Sequence, residues 1–147
     1  MKKIFVIDWS LVFVFVLSAF SGIGLHISGH SLSHELWHNW AVFHVLTCFL
    51  FFVIAIFHIT THWGWYKGII KNGLGSKSKI TALLSVVYFL ASVTGFILLG
   101  VDGANSYIGL LHYKIGIVTI VLSIGHLLKR ISLLRKSLKQ FTIHRTQ

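Results

Sequence analysis

The sequence predicts an all-α fold: an integral-membrane four-helix bundle with both termini cytoplasmic, formed as a single domain over residues 1–147. Three observations carry this reading. Four apolar stretches run through the chain, each about the 20 residues that a hydrocarbon core of about 30 Å requires. The composition is 55% hydrophobic and only 11% charged, with no proline and a mean hydropathy of +0.82, too little polar surface for a soluble domain of this size. The basic residues, finally, gather at alternate ends of the apolar stretches.

The first helix, 4–25, follows Lys2 and Lys3. A charged start and small residues at Ser18, Ala19 and Ser21 also resemble a secretory leader, but the apolar run continues past the usual length of one. The second helix is expected over 40–61, the third over 80–100 and the fourth over 107–128. Helices are required because a lone strand in lipid leaves its backbone polar groups unpaired. Lys2, Lys3, Lys67, Lys71, Lys77, Lys79, Lys129, Arg130, Arg135, Lys136, Lys139 and Arg145 fall on one side of this four-pass arrangement, and only Lys114 falls on the other. The positive-inside rule therefore puts both termini and the 66–79 loop in the cytoplasm. Helices two and four then run in the same direction. The net charge of +10 is accounted for by this orientation and forms no stripe of the kind that binds nucleic acid.

Within helices two and four stand two histidine pairs of identical spacing, His44 with His58 and His112 with His126, each 14 residues apart. Fourteen helical steps make four turns less about 40° and rise about 21 Å, so each pair keeps nearly one face and puts one imidazole toward each side of a membrane. In parallel helices His44 can meet His112 and His58 can meet His126, giving two stacked sites with two nitrogen ligands each. Intramembrane histidines mark functional sites by default, and neutral imidazole suits iron. The pattern predicts two bis-histidine haems, with the haem iron held by His44, His112, His58 and His126. Filled axial positions favour electron transfer over oxygen chemistry. The single cysteine, Cys48, and the absence of a CxxCH motif make these haems non-covalent, of b type.

Several other residues are candidates beside these. His62, four residues after His58, shares its face and competes with it as ligand; otherwise, with Trp63, Trp65 and Lys67, it belongs to a quinone or propionate site at the inner interface. The two tryptophans also fit an interfacial aromatic belt. His26, His30, His34 and His38 recur every four residues in the first outer loop, where a continuous helix would line them up for zinc or copper; Gly29 and the neighbouring serines oppose that continuity. His26 could also reach the outer haem, and Lys114 a propionate. Gly22, Gly95, Gly109, Gly116 and Gly125 either make room for a flat macrocycle or serve close helix packing. A different class of function remains open, a small proton or metal-ion transporter relaying through the histidines, for which Asp8 is the one acidic residue suitably placed.

The halves echo one another. Residues 17–22 (LSAFSG) resemble 90–95 (LASVTG) at an offset of 73, and the histidines repeat at an offset of 68, as a duplicated two-helix unit would.

On Ser21-Gly22, the His44/His58 pair followed by His62-Trp63, and the His112/His126 pair, the chain resembles the flavinylation-associated cytochrome family, a four-helix domain long without assigned function. It is similar in plan to the di-haem b-type cytochrome subunits of hydrogenases and formate dehydrogenases. The resemblance implies a multi-pass protein of the bacterial cytoplasmic (inner) membrane. It implies an electron-transfer subunit of an oxidoreductase rather than a stand-alone enzyme, passing electrons between quinone and an extracytoplasmic redox partner such as a flavoprotein. No flavin domain is found in this sequence, so the flavin would belong to a separate protein.

Overall fold

The computed structural model describes residues 2–29, 33–75, 78–101 and 106–143, with side chains described for all of these but 2, 3 and 137–143. Among these residues, five helices follow in chain order: α1 (Lys2–Ser28), α2 (His34–Thr61), α3 (Trp63–Asn72), α4 (Lys79–Leu98) and α5 (Tyr107–Ile143). Four of them, α1, α2, α4 and α5, are long and apolar enough to cross a membrane.

α1, α2 and α5 outrun the apolar stretches that announce them, while α4 stops at Leu98, two residues short of the expected end at 100. α2 begins at His34, six residues before the predicted start, because Ser33 caps it: its side chain accepts from the Leu36 N–H at 3.2 Å. Glu35 in the first turn adds a favourable charge at the helix N-terminus. α5 runs 37 residues, about 55 Å, where a bilayer core needs about 30 Å. Its extra turns carry Lys129, Arg130, Arg135 and Lys136, all exposed. The expected 66–79 loop is also corrected. Trp63–Asn72 forms a fifth, short helix, which starts directly after a break at His62 (φ −103°, ψ 16°) and stops at Gly73, whose φ of 77° suits glycine. Tyr66 ties this helix to α4 through the Ser85 hydroxyl at 2.9 Å.

α1 packs along α2, α4 packs along α5, and α1 also touches α5. Aromatic edges bridge α2 to α4: Phe51 meets Tyr88 with ring centres 5.3 Å apart, and Phe52 meets Phe96 at 5.2 Å. The interior holds small polar groups, Ser21, Thr47, Thr94 and Thr119, while Phe13, Phe20, Phe49 and Phe89 are exposed. This inverts the arrangement of a water-soluble core. The buried hydroxyls donate within their own helices, Thr94 to the Leu90 carbonyl at 2.9 Å and Thr119 to that of Ile115 at 2.8 Å, which satisfies them without water.

Candidate functional site

The histidines of α2 and α5 form two levels. At the first, the rings of His44 and His112 face each other with centres 6.3 Å apart and planes inclined by 69°. At the second, His58 and His126 lie on the wall of one cavity of about 170 Å³, together with Asp8, Thr81, Tyr88 and Arg130. Matching partners at both levels mean that α2 and α5 run in the same direction.

Each of the four imidazoles has its Nδ1 held by a side chain of the preceding long helix. His44 Nδ1 lies 3.0 Å from Ser21 Oγ. That hydroxyl also reaches the Ser18 carbonyl at 3.0 Å, an acceptor for its proton that leaves the oxygen able to accept from an Nδ1–H. His112 Nδ1 lies 2.9 Å from Thr94 Oγ1, whose proton is likewise directed to the Leu90 and Ala91 carbonyls. His58 Nδ1 lies 2.8 Å from Asp8 Oδ1; an ionised carboxylate only accepts, so the ring again donates. His126 Nδ1 lies 3.2 Å from the Thr81 hydroxyl. A neutral imidazole protonated at Nδ1 presents its lone pair at Nε2, and holding the other nitrogen by a hydrogen bond is how proteins fix the tautomer and aim of a metal-binding histidine. The Cys48 thiol lies 3.5 Å from His44 Nε2 and 3.7 Å from Nδ1.

These partners extend the internal repeat. Ser21 and Thr94 are 73 residues apart, and so are Asp8 and Thr81. Asp8 and Thr81 had no such role in the sequence reading, since an aspartate and a threonine do not look alike; their signal is that shared offset. The glycines beside the hydroxyls have a definite task as well. A Cβ on Gly22 would stand 3.0 Å from His44 Cε1, and one on Gly95 would stand 3.2 Å from His112 Cε1. Both clear space for an imidazole edge. Next to Gly116 and Gly125 lies open space.

Of the remaining candidates, His62 lies beside one of these four rings. His62 stands at the α2/α3 break with its side chain 43% exposed, Nε2 3.9 Å from Asp8 Oδ1 and its ring 4.7 Å from that of His58. It is not among the residues lining the cavity. Partial burial and the neighbouring His58 hold its pKa below the usual histidine value. His26, at the end of α1, stacks on Tyr113 at 3.9 Å. Lys114 is exposed near the start of α5, and His34 and His38 are exposed on the first turns of α2, while His30 lies outside the described residues. Trp63 is exposed and Trp65 half-buried on α3. Among the described residues, the one group of three side chains close enough to share a metal ion is Asp8, His58 and His62. Compared with protein-family models, with curated proteins and with solved structures, the chain matches none.

Proposed function

We propose that this chain carries electrons across a membrane through two non-covalent b-type haems, one between His44 and His112 and one between His58 and His126. The observation that carries the reading is the common treatment of four imidazoles, each anchored at Nδ1 and leaving Nε2 to bind. Two imidazoles bound on opposite sides of one metal ion have ring centres about 6 Å apart, given metal–nitrogen bonds of about 2 Å and roughly 1 Å from nitrogen to ring centre. The first pair stands at 6.3 Å, which fits that spacing, and the second pair offers the same donors on the wall of a cavity. When bound, haem would supply a one-electron couple whose potential the four histidines and their hydrogen bonds would adjust. The chain's own residues hold the ligands in register and keep water away with Phe15, Phe51 and Leu84 on the cavity wall.

In this proposal the four long helices form a bundle in the bacterial cytoplasmic membrane with both termini and α3 on the cytoplasmic side. Quinone exchanges electrons near His62 and α3, and an extracytoplasmic redox protein, such as a flavoprotein, does so near the 44/112 level. A proton or metal-ion transporter is the second reading, favoured by the Asp8–His58–His62 cluster. The two are separated by a pyridine haemochrome assay with a reduced-minus-oxidised visible spectrum. Two haems per chain are expected. A ratio at or below one in fully loaded protein rejects the two-site reading, and protein that binds no haem favours transport.

Topology is tested independently. Reporter fusions at Gly73 and after Gln147 are expected to score cytoplasmic, and one after Ser33 extracytoplasmic, because twelve of thirteen basic residues fall on one face. A cytoplasmic score at Ser33 would move the external partner to the opposite level.

A further inference from the structure

The two levels differ in what holds their histidines at Nδ1. Three of the four histidines lean on a neutral hydroxyl, from Ser21, Thr94 and Thr81. His58 alone leans on a carboxylate, Asp8, and at 2.8 Å that is the shortest of the four bonds. A hydrogen bond to a charged acceptor is roughly twice as strong as one between neutral groups. It pulls the Nδ1 proton away from the ring, which makes Nε2 the more electron-donating ligand. A more donating ligand stabilises the oxidised form of the metal it binds. Arg130 brings a positive charge to the same cavity, but it acts through space, whereas the carboxylate is bonded to the ligand ring itself.

Resting on the function proposed above, we infer that Asp8 sets the direction of electron transfer, by making the 58/126 site the lower-potential one. One electron leaves that site, which is oxidised, and enters the 44/112 site, which is reduced; no proton and no further reactant takes part in this step. The downhill direction is therefore from the α3 side of the molecule toward the Ser33 side. Asp8 acts as a positioning residue through His58 and needs no contact with iron.

The experiment is an optical redox titration of the purified haem-loaded protein, followed by electron paramagnetic resonance of its low-spin signals. Two one-electron waves are expected, and the wave missing in His58→Ala identifies the 58/126 site, expected to be the lower. Asp8→Asn keeps an acceptor for the ring N–H and removes the charge. It is expected to shift that site about tenfold toward its reduced form, about 60 mV, as effects of such outer partners go, and to leave the upper wave in place. Thr81→Asp adds a carboxylate behind His126, where the cavity leaves room, and is expected to lower the same wave about tenfold. Thr81→Val, which removes only a neutral hydroxyl, is expected to move it less. Loss of the upper wave in His58→Ala overturns the assignment, as does a lower wave that stays unmoved in haem-loaded Asp8→Asn. Should Asp8→Asn not fold, an unmoved wave in Thr81→Asp overturns it. Wild-type protein without two bis-histidine haems overturns the proposed function and this inference with it, whereas two haems with reversed potentials overturn the direction alone.

Discussion

His58→Ala is expected to halve the haem content and leave one intact low-spin site, while His62→Ala is expected to retain both. Only His58 shares the cavity wall with His126, and only its Nδ1 is within a short hydrogen bond of Asp8. His62 is one turn on, at a break between two helices and partly in solvent. The 44/112 level lies about four turns from His58, beyond reach of a local cavity. Haem-to-protein ratio and low-temperature spectra of the two variants, side by side, check this. A haem lost in His62→Ala but kept in His58→Ala would place the ligand nitrogen at His62 and reduce His58 to its neighbour.

The second large effect is expected from the smallest side chains. Gly22→Val should abolish binding at the 44/112 level, and Gly22→Ala should weaken it by about tenfold, the scale on which disturbing a ligand's support is felt. The first added carbon already stands 3.0 Å from His44 Cε1, and the ring cannot swing aside without giving up its bond to Ser21. Gly95→Ala has slightly more room, 3.2 Å from His112 Cε1, and should do less. Gly68→Ala on α3, where an added Cβ meets nothing within 4 Å, serves as control. Haem titration of the four variants, followed at the low-spin bands, checks the order. Full-strength binding in Gly22→Val would mean that His44 does not bind in the pose described here.

Much of this was legible in the sequence, and the gaps have physical reasons. Apolar length reveals where a helix can lie in hydrocarbon, so all four long helices were expected. It does not reveal where a helix stops, because turns outside the apolar run are held by caps such as Ser33 or by continued backbone bonding, as along α5 past Leu128. α3 does not stand out in the sequence, because Gly64 and Gly68 interrupt it and its apolar residues do not make a bilayer-length run. The histidine faces followed from the number 14 alone. Their partners did not, because which hydroxyl or carboxylate meets which ring depends on how α1 and α4 are rotated against α2 and α5. Ser21 and Thr94 were visible as a repeat without being visible as acceptors. Gly22 and Gly95 were noticed as small, but what they clear is the ring edge rather than space for a macrocycle alone.

Every Nδ1 partner comes from the histidine's own hairpin: Ser21 and Asp8 on α1 serve α2, and Thr94 and Thr81 on α4 serve α5. During synthesis the first hairpin can aim both its imidazoles before the second has been made, and the second needs nothing from the first to aim its own. Each level nevertheless takes one imidazole from each hairpin. On the proposed function, a haem at either level would be held half by each hairpin, so its capture and the docking of the hairpins would draw on the same free energy. Maturation would then be the clasping of two ready-made halves.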